Sequence, residues 1–581
     1  MEVEIKRKDT GLFWFSCYGN STKSSKEDDL NSSNADEKPG WKTMPYILGN
    51  ETIERLATFG LMANFMVYLL KVFNLNHVSA ANVITLSLGV SNCIPIIGAF
   101  IGDAYLGKFK TIAISSFATL LGIIILTLTA WVPQFHPSIS CSSNPRACVP
   151  PTATQFAILI VGLALLAIGA GGIKPCSISF AVDQFDSTSP KGRKGINRFF
   201  SWYYTTETLI QLIGSTLIIY IQSKNWTIGF GILGFLMLCS IIIFFSGAKA
   251  YIYVPPEGSI FSSIAQVFVV AYKKRHLKNP ANEQAIGVYY DPPPKDDKEL
   301  KICLTKQLKC LNKAAIIQEN ELDEEGLAIN SWRLCSIQQV EDVKCLIKVI
   351  PIWASGFLCL IPTTQQGTYF VAQALKMDRH IGPHFEIPAA SMSVVSLITI
   401  GIWLPSYDLF MQRFLAKINK QEEGLTSLQK IVIGNIFSIL TLVSSGFVEW
   451  RRRALAVSSR GATISVMWLA PQFVLIGFCE VFTIVGHIQF YNSESPENMR
   501  SVGNSLQPLL IAFSSYVGAL VMNIVHKVTT CKQGKIDWLN DDINYGRLYY
   551  YYFLLAGLAA LNLVYLLFCV KSYNYKVLTK A

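Results

Sequence analysis

Twelve apolar stretches, each near or above the length of a bilayer crossing, constrain this 581-residue chain more than any motif it contains. They lie at approximately 46–73, 82–106, 111–133, 154–182, 199–222, 227–247, 345–375, 388–411, 430–448, 463–491, 504–526 and 548–572. A hydrocarbon core about 30 Å thick takes about 20 residues of helix at 1.5 Å per residue. Inside lipid every backbone N–H and C=O must find a partner within the protein, and a segment of this length does so as a helix. The stretches predict an all-α integral membrane protein with twelve transmembrane helices in two six-helix halves. Composition closes the alternatives. With 51% hydrophobic and 15% charged residues, and a mean hydropathy of +0.36, too little polar surface remains for several soluble domains. Disordered, fibrous and disulfide-rich secreted classes are excluded on the same grounds.

Residues 1–43, rich in Ser, Asp, Glu, Asn and Lys and without a signal-peptide core, are expected to be a disordered cytosolic tail. The N-terminal half then spans 44–247, a cytosolic central loop 248–344, the C-terminal half 345–572 and a cytosolic tail 573–581. An even count puts both termini on one side. Lys108, Lys110, Lys191, Arg193, Lys194, Arg198, Arg413, Lys417 and Lys420 then fall in cytoplasmic loops, as the positive-inside bias requires. Arg451, Arg452, Arg453 and Arg460 fall outside and oppose it. The net charge of +11 is thus a topology signal, and no nucleic-acid partner is expected.

Within the central loop Ile260, Phe261, Ile264, Val267 and Phe268 recur at helical spacing ahead of Lys273, Lys274 and Arg275. An amphipathic helix along the inner membrane face fits this pattern, with a solvated linker helix as the alternative. Asp291-Pro292-Pro293-Pro294 predicts a rigid extended segment. Cys93, Cys176, Cys239 and Cys479 lie in apolar runs as small core residues, while Cys141 and Cys148 could close an external disulfide or stay free.

Two six-helix halves around a long inner loop suit a carrier that rocks about a central site. A channel would repeat a filter segment, and an enzyme would gather catalytic side chains at one depth; neither pattern is visible. His380 and His384 have helical zinc spacing, but Gly382-Pro383 between them breaks the helix, so no metal or other cofactor is expected.

Charged residues inside the spans each cost at least about 2.5–3.5 kcal/mol on insertion scales and need an explanation. Glu51, Glu54 and Arg55 share one face of the first helix, at offsets of about 60° and 40°. One arginine cannot neutralise two carboxylates, so one of them is suited to take up a proton; a static ion-paired cluster is the alternative. Lys174, in Gly171-Gly172-Ile173-Lys174-Pro175, has a counterpart of opposite charge in Glu480 of the tenth span. A salt bridge between them would close the cavity between the halves, and opening it would leave two buried charges uncompensated. Glu207 continues a polar stripe with Tyr203, Tyr204 and Gln211 on the fifth span. His487 lies about two turns beyond Glu480, and Thr363, Gln366 and Tyr369 follow Pro362 in the seventh span. Tyr203, Tyr204, Glu207, Thr363, Gln366, Tyr369 and His487 are the candidate solute contacts, each of which could instead serve helix packing.

These motifs resemble the plant nitrate/peptide transporter family, proton-coupled oligopeptide transporters of the major facilitator superfamily. The resemblance runs from Lys42 to Tyr573. It rests on Glu51-Thr52-Ile53-Glu54-Arg55, on Gly98-Ala99-Phe100-Ile101-Gly102-Asp103 with Gly107-Lys108, and on Gly172-Ile173-Lys174-Pro175-Cys176 with Asp183-Gln184-Phe185-Asp186. Trp332-Arg333-Leu334-Cys335 and Phe490-Tyr491-Asn492 with Pro496-Glu497-Asn498-Met499-Arg500 extend it. The resemblance implies proton coupling at Glu51, Glu54 and Arg55, an inter-half bridge between Lys174 and Glu480, and an inner gate held by Asp103 and Lys108. It implies a symporter driven by the proton gradient, importing a small molecule into the cytosol by alternating access.

The expected solute is organic, a plant specialised metabolite such as a glycoside or alkaloid, because Glu207 stands where relatives are mostly neutral. Nitrate, small peptides and hormones are the alternative cargoes, and a non-transporting substrate sensor is the alternative of another class. The expected location is the plasma membrane, with the vacuolar membrane second.

Overall fold

The computed structural model describes residues 39–137, 149–186, 190–254, 260–277, 288–292, 300–302, 305, 307–318, 321–323, 326–383, 385–407, 417, 425–458, 463–494, 500–530, 537–573 and 578–580. The N-terminal tail before residue 39, the Cys141/Cys148 loop, His384, Arg460 and the 496–499 part of the last motif lie outside these residues.

Among the described residues, nine helices are long and apolar enough to cross a membrane. A tenth crossing is the bent pair Met44–Ala63 and Phe65–Lys71, which meet at 43°. Asn64 sits at the break with non-helical dihedrals. The fifth and eighth rods complete the order. The fifth is Pro190–Ile213, continued through Gly214–Ile218 into Ile219–Lys224, and the eighth is Val394–Ser406 after the turn Ala389–Ser393. Charges near the base of the fifth lower its mean hydropathy. This is the major facilitator arrangement of twelve helices.

The seventh rod is built from three pieces, Ile337–Cys359, Ile361–Gln366 and Tyr369–Leu375. Pro362 lacks the N–H that a continuous helix would need, and Thr368 leaves helical geometry. In the first half the small residues of the fourth rod, Ala153–Asp183, set close contacts. A Cβ on Gly98 would lie 2.1 Å from the Gly171 carbonyl oxygen, and one on Gly172 would lie 1.9 Å from Ser115 Oγ. Backbones approach this closely only where side chains are absent.

The two ends of the bundle are packed differently. Toward the outside one apolar cluster runs without interruption through both halves, from Phe65, Tyr68 and Phe73 to Phe370, Phe473 and Tyr552. Toward the cytoplasm the core divides. Met44, Ile112, Phe180, Phe199 and Phe244 form one cluster in the first half, and Val349, Ile431, Phe490 and Leu566 another in the second. Asn82 and Asn523 exchange hydrogen bonds of 2.7 and 2.9 Å across the outer seam. Among the described residues the halves are therefore joined at one end of the bundle and parted at the other, the end next to the segment between the halves, which is the inward-facing state if that segment is cytosolic as expected.

The segment between the two halves forms a small packed unit. The helix Ile260–Lys273 is present, but Val267, Val270 and Ala271 face Ala314, Ala315, Val340 and Val343. One apolar face is thus taken by protein, while Phe268, Val269 and Tyr272 stay exposed on the other. Two buried ion pairs hold the unit, Lys274–Glu321 at 2.7 Å and Lys344–Glu341 at 2.5 Å. Leu300–Ile302 pairs antiparallel with Leu578–Lys580, which puts the central segment and the C-terminus on one side, as the even count requires.

The external arginines also find their reason. Arg452 grips both oxygens of Glu449 at 2.7 and 2.8 Å and donates to Asn544 at 2.6 Å, while Arg453 donates to the Gly546 carbonyl at 2.6 Å. Side chains engaged in an external ion-pair network are poor topology markers.

Candidate functional site

The site grows from the first helix. Glu51, Glu54 and Arg55 fall on its inward face because 3.6 residues per turn bring i, i+3 and i+4 together. Arg55 Nε donates to Glu51 Oε1 at 2.8 Å. Its two terminal nitrogens reach across to the fifth rod, one to the Glu207 carboxylate and one to the Tyr203 hydroxyl. The guanidinium carbon also lies 5.2 Å from the centre of the Tyr203 ring. Thus Arg55 divides itself between two carboxylates on different helices, and Glu54 is not one of them. Glu54 is fully buried and accepts from Thr58 at 2.8 Å, with its other oxygen unpartnered. The sequence placed the surplus carboxylate within the first helix; the fold supplies a third acid and leaves Glu54 as the surplus.

Lys174 lies in the electrostatic field of Arg55, Glu54, Glu51 and Glu207, and it makes no ion pair among the described residues. The expected bridge to Glu480 is not formed. Glu480 instead accepts from Gln366 Nε2 at 2.7 Å, and Gln366 accepts from Ser396 at 3.2 Å. The parted inner ends explain this, because the fourth and tenth rods belong to different halves. The broken seventh rod also positions Thr363, one turn before Gln366 and half-buried.

Two candidate contacts are corrected. His487 has no exposed surface, bonds the Thr483 carbonyl through Nδ1 at 2.7 Å and packs beside Tyr491. Tyr369 is 1% exposed and packs against Tyr551 in the outer cluster. Both are helix-packing residues in this state. The Tyr204 side chain lies outside the described residues. Lys108 binds Asp183 at 2.5 Å, tying the start of the third rod to the end of the fourth, while Asp103 is in no ion pair among the described residues.

Thr58, Ser396 and Asp183 were not among the expected site residues. Thr58 was legible as the i+4 neighbour of Glu54. The Arg55–Glu207 contact spans 152 residues and was not. His380, expected to hold no metal, bonds Asp378 at 2.8 Å in the external hairpin of His380–Ile381 and Phe385–Glu386. An apolar crevice of about 630 Å³, lined by Leu217, Tyr220, Phe385 and Met392, lies at the outer seam away from these charges.

Together the groups form a titratable knot of three acids and two cations in the first half, facing a single acid in the second. Such a knot can exchange a proton for a change of ion-pair partner.

Comparison with known proteins gives the family and the fold. A sequence profile named PTR2, the POT family, matches residues 109–539. Protein NRT1/ PTR FAMILY 2.13 of Arabidopsis thaliana is 49% identical over 554 residues, covering 94% of this chain and 89% of that protein. Protein NRT1/ PTR FAMILY 2.12 of the same plant is 48% identical over 537 residues, covering 92% of each chain. Among solved structures, an auto-inhibited POT family peptide transporter superposes with a TM-score of 0.67 at 21% identity, covering 92% of this chain and 97% of that one. A POT family transporter in complex with 5-aminolevulinic acid gives 0.61 at 13% identity, covering 92% and 98%.

Proposed function

Because this chain belongs to the POT family of membrane transporters, we propose that it is a proton-coupled symporter importing an organic solute into the cytosol. The single observation that carries this reading is the division of Arg55 between Glu51 and Glu207, which leaves Glu54 buried with only a hydroxyl partner. A buried carboxylate without a cation is costly when ionised, so it accepts a proton readily when the site is open to an acidic side. Protonation removes the need for a counter-charge and frees the cations to rearrange.

In the outward-facing state, Lys174 meets Glu480 and closes the inner end. Solute and proton binding then weaken the outer seam, the halves rock, and the bridge opens to give the inward state. Losing the proton to the cytosol restores the charged knot and resets the cycle. The proton gradient is the only energy source this scheme requires.

The cargo is a plant specialised metabolite such as a glycoside or alkaloid, since three acids outnumber two cations around the site in the first half. Nitrate is the second reading. The observation favouring it is Lys174, a cation without an ion-pair partner among the described residues. The plasma membrane is the first location proposed. Uptake in oocytes at pH 5.5 and 7.5, against a panel of nitrate, dipeptides and plant glycosides, tests all of these. Accumulation of no panel member, or accumulation indifferent to pH, would overturn the proposal.

A further inference from the structure

The crevice of about 630 Å³ at the outer seam takes no part in the charge chemistry of the knot. Its walls come from both halves: Thr216, Leu217 and Tyr220 from the fifth rod, and Phe385, Met392 and Val395 from the external hairpin and the start of the eighth. Leu217, Tyr220 and Phe385 keep 55, 44 and 50% of their surface open. Apolar surface of that extent beside a membrane-crossing rod marks a place for lipid. The fifth rod ends at Lys224, and the sixth, Trp226–Ser246, opens on a tryptophan of the kind that sits at headgroup level. Lys224 therefore stands at the bilayer surface. Leu217 comes seven residues earlier, about 10 Å deeper at 1.5 Å rise per residue, which puts the crevice below the headgroups. Lys224 Nζ lies 5.7 Å from the centre of the Tyr220 ring and is in no ion pair among the described residues. The hairpin's own charges are taken, Arg379 by Glu386 and His380 by Asp378. A cation at headgroup level above an apolar slot complements an amphiphile with a phosphate head and a hydrocarbon tail.

We propose that this crevice is a phospholipid site, with one acyl chain held between the fifth and eighth rods and the phosphate on Lys224. The volume falls in the range of about 300–1,000 Å³ usual for ligand pockets. Each half supplies one wall, so the site exists only while the halves are joined at this end. Lipid occupancy and the joined state therefore favour each other, because a ligand shifts an equilibrium toward the state it binds better. The lipid is a structural partner at the seam, separate from the solute that the knot serves. Its binding requires no transport, so this proposal stands or falls apart from the carrier reading.

The experiment uses purified full-length protein in dodecyl maltoside micelles. The probes are a phosphatidylglycerol with a diazirine on one acyl chain and the matching diacylglycerol, which lacks the phosphate. Adducts are mapped by peptide mass spectrometry. Phe568, 72% exposed on the twelfth rod, Leu548–Ser572, serves as the reference for unselected contact. Phosphatidylglycerol is expected to label Leu217 on one wall and Met392 or Val395 on the other several-fold more than Phe568. Lys224→Gln should cut that labelling about fivefold, the loss of one exposed ion pair, while Lys224→Arg keeps it. Diacylglycerol should label the crevice weakly, and equally in parent and Lys224→Gln. Leu217→Trp, which fills the slot, should abolish adducts on Met392 and Val395. Crevice labelling no heavier than at Phe568, adducts on one wall alone, or labelling unchanged in Lys224→Gln each overturns the proposal. Lys224 is exposed, so its variants leave the core intact, and they decide the matter even if Leu217→Trp fails to fold.

Discussion

The two halves share a six-helix plan but use charge in opposite ways. In the first half the charges meet mid-bundle, where Arg55 is contested by Glu51 and Glu207 while Glu54 and Lys174 have no ion-pair partner among the described residues. In the second half a buried pair, Glu449 with Arg452, sits at the outer end with both carboxylate oxygens satisfied. The mid-level acid there, Glu480, is held by the neutral amide of Gln366. A satisfied pair resists change, and a contested one invites it. Under the proposed function, the contested charges of the first half suit proton coupling and the satisfied pair of the second suits rigidity.

The comparison breaks if charges in the two halves respond alike. The largest effect expected is on Arg452→Leu, which strands the buried Glu449. Stability should fall by about 3–5 kcal/mol, seen as a lower unfolding midpoint in micelles, with uptake per folded molecule little changed. Uptake lost at unchanged stability would reverse the assignment.

Glu54→Gln should do the contrary. Folding is retained because the amide still accepts from Thr58, but solute accumulation collapses to equilibration, a loss of about tenfold or more in uptake. In the parent, uptake rises as external pH falls from 7.5 to 5.5, since the proton is the driving ion; in the variant the profile is flat. A variant with normal pH response would place the coupling elsewhere.

Glu480→Gln sharpens the contrast. It keeps the contact with Gln366 but removes the charge that Lys174 needs when the inner end closes. Uptake is expected to drop several-fold while its rise toward acid pH persists; a flat profile here would mean that both halves titrate.

The smallest effect concerns the outer seam. Asn82→Ala removes the exchanged hydrogen bonds with Asn523, each worth about 0.5–1.5 kcal/mol net. The inward-facing population should fall several-fold, read as longer distances between spin labels at the outer ends of the second and eleventh rods. Unchanged distances would show that the apolar cluster alone holds the seam.

Much of this molecule was legible before folding. Runs of apolar residues report helices because lipid offers the backbone no other partner, and Glu51, Glu54 and Arg55 share a face because the helix repeat demands it. Misreadings arose where a residue type has two uses. His487 and Tyr369 are polar enough to suggest a binding site, yet both pack in the bundle. Asp183 was visible only as part of a motif, yet it is the partner of Lys108 from another helix. Four external arginines seemed to violate the charge rule until Glu449, Asn544 and Gly546 were found to hold two of them.

The sequence by itself determined the membrane class, the twelve-helix plan and the first-helix motif, since each depends on periodicity and hydrophobicity within about 30 consecutive residues. Only the tertiary structure decided which acid Arg55 accepts, that Glu54 is left over, that Lys174 and Glu480 stand apart, and which end of the bundle is open. Those outcomes depend on distances between residues more than a hundred positions apart, and on one of several packings that the same halves can adopt. Coulomb energy falls with separation in space, and separation along the chain does not determine it.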